Sequence, residues 1–180
     1  MTASSPGTAS RPTIAWTDIE RERAFDRWFD ELAPRHRLDR DSLHLASADA
    51  SSRRYFRVSG PDGGSFIVMD SPAAEDSVAA FVHIGGLIRG AGLNGPRVLE
   101  QDVHQGFLLL DDLGDTQYLA ALRQADQAGA DALMRDAIDA LVQWQLKGDC
   151  STLPPYDDAL LRREIQLFPD WCVAREFGVA

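Results

Sequence analysis

Between residues 43 and 70, three short runs of strand composition are separated by stretches that regular strands do not accommodate. The runs are Leu43 to Ala46, Arg54 to Val58 and Phe66 to Asp70. Ser59-Gly60-Pro61-Asp62-Gly63-Gly64 is a loose hairpin connection between the last two, so these strands are adjacent and antiparallel. The first two are joined by a loop of small residues with arginines at its exit, Ser47 to Arg54. A small-residue loop at a hairpin tip suits a backbone cradle for phosphate groups, although alone it also describes a solvated turn.

The flanking segments add two more strands and a crossover. Thr17 followed by Glu20 has capping-box spacing, and Phe25, Trp28, Phe29 and Leu32 recur at helical intervals, which predicts a helix over 17–33 lying across a sheet. The segment 75–91 carries Val78, Phe81, Val82, Ile84, Leu87 and Ile88 as a wide apolar stripe, starts with acids and ends near Gly92. Pro96 to Glu100 and Gly106 to Leu110 are further strands, joined by residues 101–105. From Thr116 onward every periodic segment is helical: 116–124, 130–147 and 157–168, with another helix starting near Trp171. The fold class is therefore α+β, a five-stranded antiparallel lobe with one crossover helix, followed by the first helices of an incomplete helical lobe. The expected division is a disordered tail over 1–13, the sheet lobe over 14–113 and the start of the helical lobe over 114–180.

The balance of 28 acids against 18 Lys and Arg, a formal net charge of -10, disfavours a nucleic-acid partner or an anionic membrane surface. Cys150 and Cys172 are too few and too far apart for a disulfide framework or a cysteine-rich metal site. No stretch approaches the roughly 20 apolar residues of a membrane span, and the first residues lack the apolar centre of a signal peptide. A cytoplasmic protein is the expectation.

Four segments in order carry a resemblance: Ser47-Ala48-Asp49-Ala50-Ser51-Ser52-Arg53-Arg54-Tyr55-Phe56-Arg57, Val68-Met69-Asp70-Ser71-Pro72, Gly106-Phe107-Leu108-Leu109-Leu110-Asp111-Asp112-Leu113-Gly114 and Leu153-Pro154-Pro155-Tyr156-Asp157. From about residue 17 to its end the chain resembles the aminoglycoside phosphotransferase family, which has the protein-kinase-like fold. Within the family it is most similar to the bacterial kinases that phosphorylate the anomeric hydroxyl of N-acetylmuramate and N-acetylglucosamine in cell-wall recycling. The resemblance implies ATP as cofactor, with Mg2+, and a small sugar as acceptor.

It also implies roles for particular positions. The loop over the ATP phosphates would comprise Ser47, Asp49, Ser51, Ser52, Arg53 and Arg54, the arginines offering planar forks to phosphate oxygens. Tyr55 and Val68 would face the base by strand alternation, and equally read as ordinary core residues; Leu110, Asp111, Asp112 and Leu113 would form the hinge, whose backbone pairs with the adenine edge. Because backbone does that pairing, the Asp111 and Asp112 side chains say little about the base, and both also read as helix-cap or solvent-facing acids. Tyr156, Arg162, Arg163 and Trp171 lie where an acceptor-sugar site would begin, and each also reads as an ordinary helix-surface charge or a core ring.

Two departures stand out. Counting from Val68, the third-strand place of a phosphate-binding lysine is Asp70, and an acid there repels phosphate at short range. Either Arg54 or Arg53 supplies the cation, or Asp70 acts through a metal; the arginine replacement is the preferred expectation. Without the lysine, Glu75 and Asp76 are helix-start acids rather than its partners. Secondly, the family's catalytic pattern His-x-Asp-x-x-x-x-Asn does not occur, because His36, His44, His83 and His104 are followed two places later by Leu38, Ala46, Gly85 and Gly106. The chain has no catalytic or metal-binding residues of that kind and is expected to be inactive alone. The alternatives are a non-catalytic nucleotide-binding or regulatory module and an antibiotic-modifying phosphotransferase. Apolar faces on the 130–147 and 157–168 helices predict self-association of the isolated chain.

Overall fold

A computed structural model describes residues 14–48, 53–72 and 75–179, so the expected tail over 1–13 lies outside the described residues. Helix α1 spans Ile19–His36. Its N-cap is Asp18, one residue past the expected Thr17, with the carboxylate accepting from Glu20 N at 2.9 Å and Arg21 N at 3.3 Å. It runs three residues beyond the expected end and closes at Arg37, whose left-handed φ of 52° turns its N–H back onto the carbonyls of Ala33 and Pro34. The last turn is anchored by Glu100, which accepts from His36 Nε2 at 2.7 Å and pairs with Arg35 at 3.1 Å. The His36 hydrogen bond, helped by Arg35, holds the Glu100 carboxyl below its ordinary pKa.

The strands are β1 (Asp39–Ala48), β2 (Arg54–Ser59), β3 (Ser65–Asp70), β4 (Val98–Asp102) and β5 (Phe107–Asp111), with α2 (Glu75–Gly90) crossing between β3 and β4. They form one antiparallel sheet of five strands, as the sequence predicts, and the structure sets their spatial order as β1-β2-β3-β5-β4. β1 is longer than the predicted Leu43–Ala46 because register shifts between Asp39 and His44 and between Leu45 and Ser47 interrupt its alternation. The β4–β5 turn passes under β3 at Gly106, where φ is 77° and an added Cβ would lie 2.2 Å from the Ser71 carbonyl oxygen. That close approach lets Ser71 N donate to Gly106 O at 2.9 Å.

Strand alternation sorts the sheet into two faces. On one, Phe56, Val58, Val68, Phe107 and Leu109 meet Phe25, Phe29 and Leu32 of α1, and all are at most 1% exposed. Phe25 is the hub, stacked on Phe29 at 5.7 Å and edge-on to Phe56 and Phe107. On the other face, Met69, Leu108 and Leu110 pack with Val78, Phe81 and Val82 of α2.

Asp70 lies at the end of the α1 face and is fully buried. Arg21 of α1 donates to Oδ1 from Nε at 2.9 Å and Nη2 at 2.5 Å, and Arg54 of β2 donates to Oδ2 from Nε at 2.9 Å and from Nη2. The forks also stack on rings, Arg21 over Phe107 and Arg54 over Trp16, both at 4.0 Å.

Helices α3 (Tyr118–Gln124) and α4 (Gln127–Lys147) follow, tied by Tyr118 OH donating to Leu133 O. Gln143 of α4 donates to Ala91 O at 2.8 Å. One compact unit ends at Gly148 and a second starts at Asp149. The second holds α5 (Asp158–Leu167), capped by Asp157, and a wide π-helical continuation over Phe168–Glu176 that includes the start expected near Trp171. Among the described residues no helix is long and apolar enough to cross a membrane.

Removing the buried acid leaves two guanidinium groups without their counter-charge. Asp70→Asn should therefore lower stability by about 3–5 kcal/mol in urea unfolding; a loss of less than about 0.5 kcal/mol would mean the cluster does not hold the lobe together.

Candidate functional site

On the α1 face the sheet residues are buried against aromatic rings. The opposite face is covered by α2 only in part. Toward β1 it leaves a cavity of about 270 Å³, lined by Ala46, Tyr55, Arg57 and Ile67 from the strands and by Gly114, Asp115, Thr116 and Gln117 from the connector after β5. A second hollow of about 290 Å³ shares Arg57, Gly114 and Asp115 and adds Ser65 and Asp112. The roof sets the apolar Ala46 and Ile67 and the Tyr55 ring beside the charged Arg57, and the connector side is polar, with Asp115, Thr116 and Gln117 following Gly114.

One ion pair joins roof to connector. Arg57 Nε and Nη2 donate to Asp112 Oδ2 at 2.5 Å and Oδ1 at 3.0 Å, and Nη2 also donates to Gly114 O at 3.1 Å. Asp112 accepts further from Ser65 Oγ at 2.7 Å and Gly114 N at 2.9 Å, and its side chain is only 6% exposed. The Arg57 hydrogen bonds, with those of Ser65 and Gly114, outweigh burial and hold the Asp112 carboxyl at a pKa of about 2. The same bond raises the Arg57 pKa above its usual value. Asp112 is thus a tied residue, not a solvent-facing acid.

The hairpin register decides which predicted residues share this site. Ser59 pairs with Ser65 and Gly60 N donates to Gly64 O at 2.8 Å, which sets Tyr55 opposite Met69, Phe56 opposite Val68 and Arg54 opposite Asp70. Directly paired residues point to the same face. Tyr55 lines the cavity, but Val68 points the other way into the α1 core, so the expectation that both face one base is corrected. The residue accompanying Tyr55 is Ile67, and the place two residues further on that face is Met69, buried beneath α2. Asp70 is therefore not the replacement of a phosphate-binding lysine; it faces α1 and neutralises Arg21 and Arg54.

Arg54, on the Asp70 face, is engaged there and also donates to Ala15 O at 3.2 Å. Arg53 reaches α2, where Nη2 donates to Ser77 Oγ at 2.5 Å and the guanidinium lies 5.8 Å from the Phe81 ring. Ser47 pairs with Tyr55 near the end of β1, while Asp49, Ser51 and Ser52, like the side chains of Glu75 and Asp76, fall outside the described residues. Of the expected hinge residues, Leu110 and Asp111 close β5, Leu110 buried in the cluster with α2 and Asp111 accepting from Arg97 N at 2.6 Å, while Leu113 is exposed. Tyr156, Arg162, Arg163 and Trp171 are all exposed in the second unit, Arg163 paired with Glu164 at 3.1 Å and Trp171 carrying Arg175 at 4.0 Å from its ring. Among the described residues no three His, Cys, Asp or Glu are grouped to hold a metal ion.

Ala46, Arg57, Ile67 and the stretch Gly114 to Gln117 are the lining residues absent from the sequence expectation. Arg57 and Ile67 were within reach of hairpin arithmetic, because counting back from Ser59 and Ser65 pairs them directly. Ala46 stands beside a β1 register shift, and the connector has no periodicity, so neither leaves a sequence signal.

A family model described as "Phosphotransferase enzyme family" matches residues 42–176. The chain is similar to the N-acetylmuramate/N-acetylglucosamine kinase of Pseudomonas aeruginosa, 50% identical over 170 residues that cover 91% of this chain and 49% of that protein. The kinase of the same name from Pseudomonas putida is 49% identical over 138 residues, covering 77% of this chain and 40% of its own length. That from Neisseria meningitidis is 38% identical over 161 residues, covering 89% and 47%. The chain spans about half the length of the curated relatives it matches.

Because Asp112 titrates lower when folded than when unfolded, its ion pair stabilises the fold fully above about pH 4 and loses that effect as the pH falls toward about 2. Asp112→Asn should flatten the dependence of unfolding free energy on pH across this window. Urea titrations from about pH 2 to about pH 5 check it, and identical slopes in the two proteins would contradict the assignment.

Proposed function

The chain belongs to the phosphotransferase enzyme family, and from that membership we propose that it is the nucleotide-binding portion of an ATP-dependent sugar kinase. The observation that carries the reading is the cavity under Tyr55 and Ile67, open on the one sheet face that α1 does not close and bordered by the connector after β5. A flat aromatic heterocycle fits between such an apolar roof and a strip of polar backbone. The sugar side of the proposal rests on the names of the relatives, which point to N-acetylmuramate or N-acetylglucosamine as acceptor.

In this scheme the base lies against Tyr55 and Ile67, and the phosphates extend toward the loop between β1 and β2. Since Arg54 is committed to Asp70, the cation for the phosphates is assigned to Arg53, which follows that loop and lies on the strand parity of Tyr55. Phosphoryl transfer is then a matter of positioning and charge neutralisation. Mg2+ carried on the nucleotide would supply charge neutralisation to that chemistry, and among the described residues no three His, Cys, Asp or Glu are grouped to hold it. The base that takes the sugar proton is assigned to sequence outside this stretch, where no His-x-Asp-x-x-x-x-Asn occurs.

The proposed portion also carries an exposed apolar stripe on α4, comprising Met134, Ile138, Leu141, Val142 and Leu146. The isolated chain is expected to associate through it; light scattering that shows a monomer at high concentration would oppose this.

Calorimetric titration with MgATP tests the nucleotide reading. Saturable binding is expected, weakened about tenfold by Arg53→Ala; no binding at about 1 mM ATP would overturn it. A protein of the relatives' length containing this stretch should transfer phosphate from ATP to N-acetylmuramate or N-acetylglucosamine, and turnover of neither sugar would remove the acceptor assignment.

A further inference from the structure

We infer that Arg57 and Asp112 are positioning residues of the nucleotide site, their two-point ion pair holding the connector at the distance from β2 at which a base can lie between the Tyr55 and Ile67 roof and the connector. The inference rests on the nucleotide reading above and concerns how its site is held open and in shape.

From Asp112 to Gln117 the connector is neither strand nor helix, and only Gln117 O, accepting from Ala121 N at 3.0 Å, joins it to the helical bonding of α3. Such a segment takes up many conformations unless specific contacts select one. Here the contacts converge on one carboxylate. Asp112 accepts from Arg57 of β2 at 2.5 and 3.0 Å, from Ser65 of β3 at 2.7 Å and from the connector's own Gly114 N at 2.9 Å, which uses both lone pairs of each oxygen. Arg57 completes the ring by donating to Gly114 O at 3.1 Å.

Gly114 makes the return possible. Its φ is 94° and an added Cβ would meet nothing within 4 Å, so the residue is demanded by the backbone turn and not by crowding. The guanidinium plane therefore grips the connector at a side chain and at a main-chain carbonyl, while the same residue lines both hollows. A lysine could match the charge but not this planar two-point geometry.

The test separates base recognition from phosphate recognition and from general stability. Titrate the unsubstituted chain, Asp112→Asn and Arg57→Lys with ATP and with inorganic tripolyphosphate, and record a melting curve for each. Arg57→Lys keeps the charge and is the variant that decides if Asp112→Asn does not fold. The expected result is ATP affinity about tenfold weaker in the folded variants, with tripolyphosphate affinity unchanged. Unaltered ATP affinity in a folded Arg57→Lys protein overturns the inference, as does an equal loss for ATP and tripolyphosphate, which would mark a general effect on the lobe. If the unsubstituted chain binds neither compound, the nucleotide reading itself fails and takes this inference with it; binding of ATP by the unsubstituted chain keeps that reading whatever the variants do.

Discussion

A carboxylate taken wholly out of water is tolerated only when its charge and its lone pairs are answered, and in this lobe Asp70 is answered from two directions. Arg21 brings α1 to the end of β3, Arg54 brings the start of β2 to the same group, and each guanidinium lies flat on an aromatic ring of the adjoining core. Arg21 Nη1 also donates to Gln105 O at 2.5 Å, so the β4–β5 turn is drawn into the same knot. Helix, hairpin and turn are fixed relative to one another by one buried anion. Because planar forks must meet a planar carboxylate, the arrangement specifies geometry as well as supplying energy.

That knot has a consequence for function. It commits one face of the sheet to α1 and the aromatic cluster around Phe25, and it occupies Arg54, so the proposed nucleotide site lies on the opposite face. On that face α2 covers Met69, Leu108 and Leu110 but stops short of Tyr55 and Ile67. The opening is completed by a connector that a second, shallower ion pair secures. The two pairs divide the labour: Asp70 decides which face is core, and Asp112 shapes what remains open.

Much of this organisation was legible beforehand. Phe25, Trp28, Phe29 and Leu32 announced α1 by their spacing, the glycine-rich turn announced the β2–β3 hairpin, and the five strands with a crossover helix were read in the right order. The site was less legible. Strand alternation alone puts Tyr55 and Val68 on one face, but the hairpin register sets Val68 opposite Phe56 in the α1 core and leaves Tyr55 with Ile67 on the cavity, because a one-residue slip in register inverts every side chain. The same slip made Asp70 look like a misplaced phosphate contact. The ion pair of Asp112 left no trace in the sequence, because nothing in its neighbours along the chain names Arg57, its partner 55 residues away.

By itself, then, the sequence determined the element order, the antiparallel pairing, the apolar stripes of α1 and α2, and a kinship through four ordered segments, since these depend on local periodicity, turn chemistry and residue identity. Tertiary structure alone decided which arginine meets which aspartate and which strand positions are open to a ligand. Those outcomes turn on register and on long-range pairing of groups that look alike in one dimension: a buried charge must find its counter-charge wherever the fold brings one, and local pattern does not record where that is.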